Sequence, residues 1–322
     1  LRQQIIAWAV TTGEAGMRTQ VRGLAQAVAG TVVEKTVGLR APWAWVPQSL
    51  VPRPLSRLDA AKDRLAPPWP DLIITCGRRS AALSLAAKRA SGGRLMSVHI
   101  QDPRLPARAF DLVVALEHDP VRAGPHVLKT MTAMHDVTLE ALAQAAESWR
   151  ERLAPLGRPL VGVAIGGTTR RRAFTVEDGA RLIAGLKRLR GVGGAALAIT
   201  PSRRTPQEIR GLLAEAFSDD PQVFLWNLEG ENPYRGILAL ADRLVVTGDS
   251  VSMVSEALAT PHPVEVFDLD AGPQRAFLQG LIDRRLVRRF EGDPTPSEAG
   301  GPIDATARVA EVLERMLRER LG

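Results

Sequence analysis

Arg243-Leu-Val-Val-Thr-Gly-Asp-Ser-Val-Ser-Met-Val-Ser-Glu-Ala-Leu258 reads as a buried strand, a tight polar turn and a helix. Leu244 to Val246 is a short apolar run, and Gly248, Asp249 and Ser250 break it. Val251 to Leu258 is helix-compatible, with Ser250 or Ser252 as candidate N-cap. A parallel strand feeding a helix N-terminus presents free backbone N–H groups and a partial positive charge, which suit a phosphate. Glu256 falls one helical turn past Ser252. A diphosphate at the turn with a ribose on the carboxylate is one reading. An ordinary capped helix of an α/β domain is the other, because Ser and Asp are good caps wherever they stand.

The same grammar recurs along the chain. Ile5 to Val10 is a strand, Thr11-Thr-Gly-Glu-Ala-Gly16 a turn, and a helix follows from about Met17 to Ala29. Gly13 and Gly16 lack the G-x-G start of the dinucleotide fingerprint, so Gly13 serves either a close-approaching ligand or a tight turn. Thr31 to Val37 is a second strand, and the proline-rich segment from Leu39 to Pro68 is an irregular excursion. A strand ending at Cys76 then leads through Gly77-Arg-Arg-Ser80 into a helix. Arg78 and Arg79 at its start either hold an anion or are solvated. Strands ending at Ile100 and Ala115, a short one at His126 to Leu128 and a helix from Asp136 to Leu153 complete a first domain, 1–153. Ligands of such sheets bind at the carboxyl ends of strands, here Thr11, Thr12, Gly13, Gly77, Arg78, His99, Gln101, Asp102 and His118.

Ala154-Pro-Leu-Gly-Arg-Pro159 reads as a linker, and a second domain of the same kind spans 154–322. Its first strand, Leu160 to Ile165, ends at Gly166 and Gly167, and Thr175-Val-Glu-Asp178 is a capping box. A strand to Thr200 ends at Ser202 and Arg203, with Thr205 as a cap and Pro206 at the first helical position. The opening stretch, a strand at Val264 to Phe267, a helix around Arg275 to Asp283 and an amphipathic helix to Arg320 follow. The expected fold is α/β, two Rossmann-like doubly wound parallel-sheet domains with an interdomain cleft. Gly166, Gly167, Ser202, Arg203, Ser250, Ser252 and Glu256 would lie along one sheet edge and suit a diphosphate without a metal.

Composition narrows the function. The net charge is +7, carried almost wholly by Arg, with Lys only at 35, 62, 88, 129 and 187. With one Tyr and few Phe there is no aromatic platform for single-stranded nucleic acid, so anionic small ligands or an anionic membrane surface are the expected partners. The single cysteine, Cys76, excludes an internal disulfide framework and a Cys-based zinc cluster. No H-E-x-x-H helix, P-loop or G-x-S-x-G elbow occurs, and no cofactor or metal is expected. No apolar run reaches the length of a membrane span, and a cytoplasmic location, peripheral to the inner membrane at most, is expected.

Ile199-Thr-Pro-Ser-Arg-Arg-Thr-Pro206, Gly230-Glu-Asn-Pro-Tyr234 and Ala241-Asp-Arg-Leu-Val-Val-Thr-Gly-Asp-Ser-Val-Ser-Met-Val-Ser-Glu-Ala257 resemble the mitochondrial-fission protein family, the plant fission proteins and their bacterial relatives. Weaker matches are Gly13-Glu-Ala-Gly16 with Gln20 and the Gln101-Asp-Pro-Arg104 loop. Thr12 stands where the family often has Asp, and Met17 where it often has a polar residue. The resemblance implies the GT-B architecture of nucleotide-sugar glycosyltransferases and UDP-N-acetylglucosamine 2-epimerase. It would set Ser250 and Ser252 against the diphosphate, Glu256 on the ribose hydroxyls and Arg203 on the phosphate charge. The acceptor side and any general base would come from the N-terminal domain, with Gly13, Gly16, Gly77 and Arg78 lining it and Asp102, His99 and Glu14 as candidates. The last helix of such folds often crosses back to the first domain. The implied activity is a metal-independent glycosyltransferase or sugar epimerase acting on a nucleotide-diphosphate sugar, with a lipid-linked or membrane-surface acceptor compatible with the basic charge. The alternative is a non-catalytic GT-B-like protein that works through protein partners or a membrane surface, as the plant relatives do.

Overall fold

The computed structural model describes residues 2–169, 172–269, 274–295 and 297–321. The chain forms two compact units, Leu1–Asp136 with Asp304–Gly322, and Val137–Ile303.

The first unit holds β1 (Ile6–Thr11), α1 (Ala15–Val28), β2 (Thr31–Thr36), β3 (Leu72–Cys76), α2 (Arg78–Ala90), β4 (Met96–Ile100), β5 (Leu112–Leu116) and β6 (Val127–Thr130). Its sheet is parallel throughout, in the order β2-β1-β3-β4-β5-β6. β3 and β4 are buried along their whole length, which is why they read as apolar runs without alternation. The chain leaves β1 toward β2 and resumes on the other side at β3, so the switch in strand order lies between β1 and β3.

The second unit opens with α3 (Leu139–Leu153) and continues through β7 (Leu160–Ile165), α4 (Val176–Gly193), β8 (Ala196–Pro201), α5 (Gln207–Phe217), β9 (Val223–Leu225), α6 (Tyr234–Leu240), β10 (Arg243–Thr247), α7 (Val251–Leu258), β11 (Val264–Phe267), α8 (Gln274–Asp283) and β12 (Arg288–Arg289). These strands are also all parallel, in the order β12-β11-β10-β7-β8-β9. The switch here lies between β7 and β10. Arg243, a charge at the head of a buried strand, is answered by Glu265 on the neighbouring β11, and Arg288 of β12 donates to the same carboxylate.

α9 (Ala305–Leu321) returns to the first unit. Val309, Leu313 and Leu317 recur at helical spacing and are buried in one core with Val21, Leu24 and Val28 of α1. Each such side chain contributes about 1.5–3 kcal/mol. Thr306 fixes the entry to α9: its hydroxyl accepts the amide of His135 at 2.9 Å and donates to the carbonyl of the same residue at 3.0 Å.

The division between the units differs from the 153/154 boundary expected from the linker-like stretch. It falls at 136/137, because α3 packs on α6: Trp149 and Leu153 share a core with Ile237, and a Cβ on Gly236 would land on the Trp149 ring. Within the segment 154–159, Ala154–Leu156 forms a short helical turn, and the whole segment lies in the second unit. The strand β12 carries only two residues and gives no alternation pattern to read.

Candidate functional site

The site grows from the switch point of the second sheet, where two strands leave in opposite lateral directions and their carboxyl-end loops part. β7 delivers Gly166 and Gly167 there, β8 delivers Ser202 to Thr205, and β10 delivers Gly248, Asp249 and Ser250. The three loops are bonded to one another. Gly166 donates its amide to Thr247 Oγ1 at 2.7 Å, and Gly167 donates to Asp249 Oδ2 at 2.9 Å. Ser202 Oγ donates to the carbonyl of Gly166 at 2.7 Å, and Thr205 Oγ1 donates to the same carbonyl.

Asp249 is the centre of this network. Its side chain is 1% exposed and takes hydrogen bonds from Gly167, from Thr247 Oγ1 at 2.7 Å and from Arg204 Nη2 at 3.0 Å. A carboxylate is stable out of water only with its oxygens so occupied. This arrangement also explains the glycine pair. A Cβ on Gly166 would fall within the Asp249 carboxylate, and one on Gly167 within the carbonyl of Arg204. Both glycines are required by loop packing, and both of their amides are spent inside the protein.

The donors left open are on α7. Ser250 caps the helix, accepting the Met253 amide at 3.4 Å. Among the described residues the amides of Val251 and Ser252 take no backbone partner, as first-turn geometry requires. Ser252 is half-buried, and Glu256, four residues on, is buried on the same side of the helix. Arg203 stands exposed at the tip of its loop, and among the described residues it pairs with no carboxylate. Arg204, which the sequence does not single out, is the arginine that reaches into the network.

Thr205 does not cap α5. Pro206 takes the cap position, and the Thr205 hydroxyl turns to the carbonyls of Ile165 and Gly166. Thr175 and Asp178, by contrast, form the capping box at α4 that their spacing predicts.

In the first unit the candidates are differently employed. His99 is fully buried within β4. Its Nδ1 lies 2.8 Å from Thr75 Oγ1, its ring packs against Phe110, and burial pushes its pKa down to about 3. It is a neutral core side chain away from any surface, so its candidacy as a general base is withdrawn. Asp102 closes a turn, accepting the Arg104 amide at 2.9 Å and pairing with Arg104 Nε at 2.8 Å. Glu14 is exposed at the start of α1 and accepts the Thr12 hydroxyl at 2.5 Å. Gly13 and Gly77 both have positive φ, +110° and +85°. At Gly77 a Cβ would also press on Met17 Sδ at 2.6 Å, so the apolar Met17 packs where the backbone is bare. Gly16 lies in the first turn of α1, and Arg78 is exposed at the first position of α2. Cys76 is buried, and burial raises its thiol far above the ordinary range, so it is no nucleophile. Among the described residues no group of three or more His, Cys, Asp or Glu is placed to hold a metal ion.

Comparison with known proteins agrees with this architecture. The family model described as "Mitochondrial fission ELM1" matches residues 15–317. The mitochondrial fission protein ELM1 of Arabidopsis thaliana is 31% identical over 277 residues, a match covering 78% of this chain and 65% of that protein, so the chain spans about two thirds of the relative's length. The UDP-GlcNAc 2-epimerase of Neisseria meningitidis, solved with UDP-GlcNAc bound, superposes with a TM-score of 0.55 at 13% identity, covering 98% of this chain and 99% of that one. A glycosyltransferase of Streptomyces nogalater gives a TM-score of 0.52 at 17% identity, covering 98% and 95%. At such identities the likeness shows the fold: two parallel α/β units of the GT-B kind.

Proposed function

The chain belongs to the mitochondrial fission ELM1 family, and on that footing we propose that its second unit binds a nucleoside-diphosphate sugar as a metal-independent glycosyltransferase or sugar epimerase. The observation that carries this reading is the start of α7. At the switch point of a parallel sheet, two amides and the Ser252 hydroxyl have no hydrogen-bond partner among the described residues at the positive end of a helix, and Glu256 lies one turn along. The diphosphate would sit on Ser250, Ser252 and the first-turn amides, and the ribose hydroxyls on Glu256. Arg203 and the exposed part of Arg204 would meet the phosphate charge. Such donors are fixed before the substrate arrives, so they stabilise charge on a departing nucleoside diphosphate without reorganisation and without a metal.

A second reading is a nucleotide-binding protein without catalysis. It is favoured by the first unit, where His99 is buried and Asp102 is held by Arg104. The plant relative's name as a fission protein points the same way.

Thermal unfolding with UDP, GDP, CMP and their sugars tests the site. A ligand at 100 times its Kd adds about 2.7 kcal/mol of stability. One nucleotide class is expected to raise Tm, and Glu256→Ala to abolish that rise. If none of these ligands shifts Tm, the nucleotide-sugar reading is wrong. Release or transfer of labelled sugar by a protein that does bind then separates enzyme from binding protein.

A further inference from the structure

The first unit carries a second feature that the nucleotide reading does not use. A groove of about 360 Å³ is walled by residues 44–48, by Arg78 and Arg79, and by 103–105. Arg78 and Arg79 occupy the first two positions of α2, where the helix's own positive end disfavours a cation. Both are exposed, and among the described residues neither pairs with a carboxylate. Arg104 is the third guanidinium on this wall, 60% exposed at its side chain although paired with Asp102.

The loop above them leaves large apolar groups in water. Trp45 is 80% exposed and Leu50 69%. Residues 40–57 contain Pro42, Pro47, Pro52 and Pro54, three arginines (Arg40, Arg53 and Arg57) and no Asp or Glu. An exposed indole and a leucine beside a rim of three exposed arginines, two of them without a carboxylate partner among the described residues, match the interfacial zone of a bilayer, where amphipathic rings sit at headgroup level and guanidinium groups meet lipid phosphates. Among the described residues no helix is long and apolar enough to cross a membrane, so contact would be made at the surface.

We propose that this face docks on an anionic lipid bilayer, a lipid phosphate entering the groove against Arg78, Arg79 and Arg104 while Trp45 and Leu50 enter the headgroup layer. A free phosphate ester would satisfy the arginines but leave Leu50, which does not line the groove, in water. That favours the lipid as the source of the phosphate.

Co-sedimentation of the full chain with vesicles tests this. Binding is expected to vesicles of phosphatidylcholine mixed with phosphatidylglycerol, to weaken with added salt, and to be slight on phosphatidylcholine alone. Each basic residue near an anionic surface is worth about fivefold, so the double variant Arg78→Gln, Arg79→Gln should lower the partition coefficient by at least about tenfold. Trp45→Ala should also weaken binding, and in the unchanged chain tryptophan emission should shift to the blue on anionic vesicles only. Circular dichroism and Tm of each variant, equal to those of the unchanged chain, exclude loss of fold as the cause. Equal partition to both vesicle types, no partition to either, or full binding by both variants overturns the proposal. Inorganic pyrophosphate stabilising the unchanged chain but not the double variant, with no vesicle binding, would also overturn it and assign the groove to a soluble phosphate. None of these readouts depends on nucleotide binding in the second unit.

Discussion

Asp249 accepts the backbone amide of Gly167 at 2.9 Å across a separation of 82 residues. This bond joins the turn after β10 to the turn after β7 at the point where strand order reverses, and it holds the start of α7 in place. A buried carboxylate with three donors is a rigid joint, because each bond fixes the other two.

Asp249→Ala should therefore destabilise the protein by about 2–4 kcal/mol, by leaving the Gly167 amide and the Thr247 hydroxyl buried and unpaired. Little of that comes from Arg204, which is 45% exposed and can return to water. Urea unfolding measures the loss; a change under about 0.5 kcal/mol would show that the joint is not structural.

Gly166→Ala places a methyl group in the Asp249 carboxylate and should cost about 1–3 kcal/mol. Gly211→Ala makes the same chemical change in the middle of α5 with open space around it, and should stabilise by about 0.5–1 kcal/mol. The opposite signs, read as Tm shifts, separate packing from propensity.

Ser252→Asp puts a negative charge in the first turn of α7. It should leave stability unchanged or raise it by about 0.3–1 kcal/mol, because an acid suits a helix N-terminus. The same charge should repel a diphosphate and remove any Tm shift caused by nucleotide. A variant that still binds nucleotide normally would place the phosphates elsewhere.

Acid should weaken the fold through His99. Burial lowers its folded pKa to about 3 from an ordinary value of 6.5. Between those values the unfolded chain binds the extra proton, so stability is complete above pH 6.5 and falls as pH drops toward 3. The slope approaches about 1.4 kcal/mol per pH unit. His118 and His262 are also lowered by burial and add to the same limb. His99→Leu should flatten the limb between about pH 5 and 6.5, before Asp178 and Asp220, both held low by arginines, begin to protonate. Urea midpoints across that range decide it, and an unaltered slope in the variant would remove His99 from the account.

Much of the fold is legible in the chain because buried parallel strands write their own pattern. β7 and β11 run from Leu160 to Ile165 and from Val264 to Phe267, the bounds that their apolar runs predict. The Thr175–Asp178 capping box and the Ser250 cap are local bonds between near neighbours, and near neighbours are visible in a sequence. Asp249 and Arg204 are invisible there as a pair: each is a polar residue in a loop until the sheet brings the loops together.

The sequence by itself determined two runs of parallel strands, each feeding a helix, the capped start of α7, and the family. Apolar periodicity and caps depend only on residues a few positions apart. The tertiary structure decided the rest. It gave α3 to the second unit, it tied the Gly166 and Gly167 amides into the loop network, and it buried His99 within β4. Each of these depends on which distant surface a group meets, and that is settled only when burial competes between alternatives across the whole chain.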